Sequence, residues 1–208
     1  MPIRPLSNNA EAVLKFWLGS DDLNPAEFKT QQKLWYDSRT DTDNEIRREF
    51  KSDLTSAELG DLSHWRNTAA GSLALVILLD QFTRNLYRGT PRAYANDVPA
   101  QALVVSQLEK GGLQRFNIPG LIAFYQPLHH AENLPLQRTA VSLFEEMLEH
   151  ASDEWCETIR RNLASIESHC DIISKFGRFP HRNEILSRQS TPKEVQYLQK
   201  DRRTYGQQ

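Results

Sequence analysis

Three short segments of this chain concentrate the side chains that bind anions and move protons. The first is Leu79-Asp80-Gln81-Phe82-Thr83-Arg84-Asn85-Leu86-Tyr87-Arg88. Asp80 falls near the C-terminal end of an apolar helix, where the partial negative charge of the helix disfavours a carboxylate. It needs a cationic partner, and Arg84, four residues on, is within reach on a continuing helix. Arg84 or Arg88 turned into a cavity would hold an anion through the planar guanidinium fork. The second segment, Phe124 to Asn133, carries His129, His130 and Glu132. Imidazole with carboxylate is the common apparatus of proton transfer. His130 and Glu132 are two residues apart and do not share a helix face, so they converge only in a turn. The third is Phe176-Gly177-Arg178-Phe179-Pro180-His181-Arg182-Asn183-Glu184. A solvated loop is built from turn residues. Here Phe176 and Phe179 instead anchor a proline-stiffened loop, holding Arg178, His181, Arg182 and Asn183 at an edge or cleft. His169 precedes that loop by two helical turns and is placed to point into the same space.

Each segment also has a plainer reading. Asp80 and Arg84 serve as an ion pair near a helix end, the 124–133 segment as a polar turn, and the arginines of the loop as caps on helix carboxyl ends. His169, next to an apolar stripe, serves as an ordinary half-buried histidine. A metal shell from His130, Glu132, His169 and His181 is a further possibility, opposed by the nearby arginines, which repel a cation. No glycine-rich phosphate loop, G-x-S-x-G elbow or His-Glu-x-x-His pair occurs, so no cofactor is expected.

The elements that must position these groups are helical. No segment alternates with period two, and no Asn-Gly or Asp-Gly hairpin turn is present. Helices are expected near 8–18, 25–36, 42–59, 68–82, 98–110, 134–149, 153–176 and 192–200, with a shorter one near 119–130. Asn24-Pro25-Ala26-Glu27 and Thr191-Pro192-Lys193-Glu194 read as capping boxes with proline at the first helical position, and Thr42 with Glu45 as another box. Trp155, Ile159, Leu163, Ile166, Cys170 and Ile173 recur at steps of three and four, one apolar stripe at helical period. Gly177 is suited to a left-handed cap at its end. The 68–82 stretch is apolar nearly all round, as a central helix packed on several sides must be.

The 208 residues fit one domain, with 39% apolar residues to build its core. A formal net charge of -2 lacks the basic excess of a protein that captures nucleic acid through phosphates. Cys156 and Cys170 would stand roughly 21 Å apart on one helix, too far for a disulfide. Free thiols fit a reducing compartment, and no CxxC pair offers a zinc site. The first residues form no apolar signal core, and the most apolar run, Leu73 to Leu79, is far shorter than a bilayer span of about 20 residues. A cytoplasmic location with no membrane contact is expected.

The segments Val13-Leu14-Lys15-Phe16-Trp17-Leu18-Gly19, Leu75 through Arg88, Tyr125 through Glu132 and Phe176 through Ser190 resemble, in order, the bacterial "domain of unknown function 924" family. The family-like core spans about 10–200 within a single domain covering 1–208. The resemblance implies an all-α fold of antiparallel helix pairs in a right-handed, tetratricopeptide-like superhelix. It implies no activity, so no catalytic role is carried over. Three residues depart from the family pattern: Thr83 stands at a usual proline, Ala131 at a usual serine and Ser187 at a usual glycine.

The combined expectation is a pocket for a small anionic molecule, with a possible enzymatic role. Arg84, Arg88, Arg178 and Arg182 would bind the anion together with His169 and Asn183, and Asp80, in the same ligand site, would position Arg84. His130 and His181, oriented by Glu132, would transfer protons. The alternative is a non-enzymatic helical scaffold whose concave face clamps an acidic peptide or a C-terminal carboxylate.

Overall fold

The computed structural model describes residues 10–36, 40–111 and 116–200; of Tyr36 and Thr40 it describes the backbone alone. Among these residues the chain forms helices and no strand. The order is α1 (Ala10–Leu18), α2 (Pro25–Gln31), α3 (Lys33–Tyr36), α4 (Thr40–Leu59), α5 (Ala69–Val76), α6 (Thr83–Leu86), α7 (Asp97–Glu109), α8 (Ile118–His129), α9 (Leu134–His150), α10 (Asp153–Phe176) and α11 (Pro192–Lys200). Short 3-10 turns at Ser63–Asn67, Pro91–Tyr94 and Pro180–Arg182 connect them. No helix among the described residues is long and apolar enough to cross a membrane.

Local chemistry accounts for most boundaries. Asn24 accepts from the Ala26 and Glu27 amides while Glu27 reaches back to the Asn24 amide, a complete capping box. Thr191 and Glu194 exchange the same pair of bonds at the start of α11. α10 ends at Gly177 with φ 70°. The expected box at Thr42 and Glu45 does not start α4; the helix is already formed at Thr40, so Thr42 lies in its first turn. Residues 8 and 9, at the expected start of the first helix, lie outside the described residues.

Two departures from the expected elements shape the site. The 25–36 helix is broken at Gln32 into α2 and α3. The central helix does not stop at 82: its segment Ile77–Phe82 is a π-helix that continues into α6. The Thr83 amide bonds back to the Leu78 carbonyl, five residues earlier, and the Thr83 hydroxyl donates to the same oxygen at 3.2 Å. Wide turns of this kind are frequent where a helix serves a site. Asp80 is therefore in the middle of a continuous helical run, not at its end.

The core wraps this run. Trp17, Trp35, Phe50 and Phe82 form a continuous aromatic contact, with Trp17 and Trp35 stacked at 5.7 Å. α1 packs on α5, α4 on the π segment and α6, and α7, α8, α9 and α10 each on the next. Cys156 and Cys170 are free thiols on α10.

Candidate functional site

The π segment and α6 present Asp80, Gln81, Arg84 and Asn85 on one side, and Arg88 follows in the next turn. Asp80 is fully buried. It accepts from Arg84 Nη2 at 3.1 Å and lies 2.9 Å from His130 Nδ1, with the Gln81 amide close on its other oxygen. The same Arg84 Nη2 donates to Asp97 at 2.8 Å, Nη1 donates to the Ala93 carbonyl at 3.1 Å, and Nε faces His130 Nδ1 at 3.4 Å.

Asp97 bridges the two buried arginines. Its second oxygen accepts from Arg182 Nη1 at 3.2 Å, and Arg182 Nη2 donates to the His130 carbonyl at 3.0 Å. The Arg182 guanidinium lies between the Tyr94 and Phe179 rings, 4.6 and 4.5 Å from their centroids, a geometry suited to cation–π attraction. Burial opposes the charge on both arginines. For Arg84 the two aspartates more than offset it and its pKa rises; for Arg182 burial prevails and the pKa falls. Both remain cations at neutral pH.

α8 delivers the histidines. Its carboxyl end is held by the buried Gln137, whose Nε2 donates to the His129 and Ala131 carbonyls at 2.6 and 2.8 Å. The ring centroids of His129 lie 4.5 Å from those of His130 and 4.8 Å from those of His169. Burial first, then His130 and His169, hold the His129 imidazole well below its ordinary range. Burial first, then Arg84 and Arg182, do the same for His130. A carboxylate offers only acceptors, so the closer Asp80 contact assigns the proton of neutral His130 to Nδ1 and leaves Nε2 as its acceptor.

These groups meet around a cavity of about 440 Å³. Its wall takes Gln32 and Trp35 from the α2–α3 break, and Gln81, Arg84, Asn85 and Arg88 from the central run. Gln126, His129 and His130 come from the end of α8, Arg161, Asn162, Ser165 and His169 from α10, and Phe179, His181 and Arg182 from the loop. Among the described residues four arginines and four histidines line it, and no carboxylate does. The acids stand behind the arginines: Asp80 and Asp97 as above, and Asp43, which takes a two-pronged pair from Arg88 at 2.9 Å per bond and a third bond from Asn85 at 2.8 Å.

Asp80, expected in the ligand site, stands behind Arg84 and His130 and does not line the cavity, and three further expected site residues are elsewhere. Glu132 orients neither histidine; it accepts from Arg188 at 2.6 and 2.9 Å and from the Phe179 amide at 2.8 Å. Burial raises the Glu132 pKa, but Arg188 and the Phe179 amide outweigh it and the net shift is downward. Arg178 pairs with Glu194 at 2.7 and 2.9 Å, which holds that acid down at about 2. Asn183 donates to Ser190. All three fasten the loop and none lines the cavity. The orienting carboxylate of His130 is Asp80. With Glu132 so engaged the four-ligand metal set does not assemble, and among the described residues no group of three or more His, Cys, Asp and Glu is placed to share a metal ion.

Sequence reasoning missed Asp97, Tyr94, Gln32 and, apart from His169, the polar face of α10. That face had a signal: Asn162, Ser165 and His169 step by three and four beside the apolar stripe. Asp97 had none, because its partners Arg84 and Arg182 lie 13 and 85 residues away.

A sequence profile of the family described as "Bacterial protein of unknown function (DUF924)" matches residues 13–202. A solved structure, described as the structure of a protein of unknown function, ATU0120, from Agrobacterium tumefaciens, is similar with a TM-score of 0.77 and 33% identity, covering 92% of this chain and 97% of that one. No curated protein matches the chain.

Proposed function

The chain belongs to this bacterial family of unknown function, and we propose that its cavity binds a small anionic molecule and that His130 exchanges a proton with it. The observation that carries the reading is the lining itself: among the described residues four arginines and no carboxylate face about 440 Å³ of space, a size that suits a small molecule. A wall of donors over a low-dielectric interior favours a negative guest. His130 supports the second half of the reading. Its Nδ1 is held by a fully buried carboxylate, the arrangement that fixes an imidazole's tautomer and frees Nε2 as a base. His181 lines the same cavity and is the second proton-transfer candidate.

The ion network behind the wall is a poor place to test this. Removing one partner of a buried pair costs about 3–5 kcal/mol, so Arg84→Ala and Arg182→Ala would report on folding. The test is a thermal-shift panel on the intact chain with phosphates, nucleotides, carboxylates and divalent metals. A ligand at a hundred times its dissociation constant stabilises by about 2.7 kcal/mol, a shift of a few degrees for a chain of this length. One anion class should raise the melting temperature, and His130→Gln should change the pH dependence of that response. A panel in which no anion acts would sink the reading.

The alternative is a tetratricopeptide-like scaffold: antiparallel helix pairs in a right-handed superhelix that clamp an acidic peptide. The succession of α7, α8, α9 and α10, each packed on the next, is compatible with such stacking. The loop residues Phe179, His181 and Arg182 wall the cavity, which favours a small guest over a peptide. Fluorescence anisotropy with acidic peptides distinguishes the two: micromolar binding would favour the scaffold.

A further inference from the structure

Of the four arginines that line the cavity, three are already neutralised. Arg84 and Arg182 share Asp80 and Asp97, and Arg88 is paired with Asp43. Arg161, exposed on α10, differs. Its hydrogen bond is to a neutral group, Gln32 Oε1, at 3.1 Å, and among the described residues it meets no carboxylate. Among the described residues, one arginine of the lining is therefore left without a paired carboxylate.

Gln32 adds the second observation. It lies in the break between α2 and α3, is one of the residues that line the cavity, and is 4% exposed. Arg161 has only donors to offer, so Gln32 Oε1 must face it and the amide orientation is fixed. That leaves Nε2 as a donor, and it is buried with no hydrogen-bond partner. A buried amide donor left unmatched costs about 1–3 kcal/mol, so an unpaired one in a cavity wall points to a guest that accepts from it.

We propose that Arg161 and Gln32 are the head-group end of the cavity, and that the ligand is a small monocarboxylic acid. The proposal rests on the reading of the cavity as an anion site. A carboxylate presents two acceptor oxygens in one plane, one for the guanidinium and one for the adjacent Nε2. Its single negative charge matches the one such arginine, whereas a phosphate dianion would bring an excess charge into a wall whose other described arginines are paired. Trp35 and Phe179 supply apolar walls for the carbon body of the acid, which would extend toward His130.

The experiment is titration calorimetry on the intact chain at low ionic strength with three matched series. These are acetate, lactate and benzoate; the neutral acetamide, lactamide and benzamide; and inorganic and phenyl phosphate. At least one carboxylate should bind saturably, at least tenfold more tightly than its amide and than either phosphate. Arg161→Gln should weaken it about tenfold or more, the worth of a charged hydrogen bond. Arg161→Lys should recover part, keeping the charge without the fork. Gln32→Glu should abolish it, because the new acid removes the donor and neutralises Arg161. Arg160→Gln, an exposed neighbour outside the lining, should change nothing. Tighter binding of a phosphate would overturn the monocarboxylate assignment and leave the anion cavity standing. Carboxylate binding indifferent to both Arg161→Gln and Gln32→Glu would overturn the head-group site. No binding by any anion would remove both this inference and the anion cavity.

Discussion

Ser187 adopts φ 53°, the one described residue other than glycine with a left-handed backbone. It occupies a position where the family resemblance leads one to expect glycine. An L side chain in that region costs on the order of 1–2 kcal/mol, part of which glycine forfeits through its freer unfolded chain. Ser187→Gly should raise stability by about 0.5–1 kcal/mol in urea denaturation, with an unchanged slope. The neighbouring chemistry shows how far single residues could be read. Arg84 was legible as the partner of Asp80 because four residues is one helical turn. The assignment of Glu132 to the histidines failed because its real partners, Arg188 and the Phe179 amide, lie 56 and 47 residues away.

At the scale of elements, the loop after α10 is held at separate points. Glu132 takes Arg188 and the Phe179 amide, Arg178 takes Glu194, and Asn183 takes Ser190. These bonds carry Arg182 and His181 to the cavity. Arg188→Ala leaves Glu132 a single bond, to the Phe179 amide. The pair is partly exposed, with side chains 23% and 25% accessible, so a loss of about 1–2 kcal/mol is expected, between the surface and buried limits. Hydrogen exchange locates it: the Phe179 amide should exchange faster while the middle of α10 is unchanged. Element boundaries were legible where a cap declares them, as at Asn24, Thr191 and Gly177. The π segment was not. A helix apolar on every side has no polar face to give a phase, so nothing in the pattern marks the extra residue in its turns.

For the molecule as a whole, the buried histidines set the response to acid. His129 and His130 have folded pKa values well below the ordinary 6.5. Below that value the unfolded chain binds protons that the folded chain does not, so stability falls as pH falls. Asp53 acts the other way. Burial raises it to about 6, so the folded chain gains protons over the unfolded one between its ordinary range and 6. Asp97, which burial also raises, acts with Asp53; between about 6 and 6.5 the two histidines prevail, and the net slope there is positive. Denaturation from about pH 6 to 7 should show stability rising with pH, steeply below 6.5. Replacing both histidines with asparagine should flatten the rise, or reverse it through Asp53. A wild-type profile flat over this range would contradict buried, neutral histidines.

The amino-acid sequence by itself determined the helices, most of their ends, and three of the segments that contribute to the cavity. Those are local matters: side-chain spacing, a capping oxygen and a glycine act within a few residues. Only the tertiary structure decided which charges face the cavity and which stand behind it. Arg178 and Arg182 are four residues apart in one loop, yet the first pairs with Glu194 at its edge and the second is buried on Asp97. Arg161 and Gln32, 129 residues apart, meet only when α10 packs on α2. Charge compensation depends on distances through space, set by how the helices pack, and one sequence carries no record of which helix faces meet.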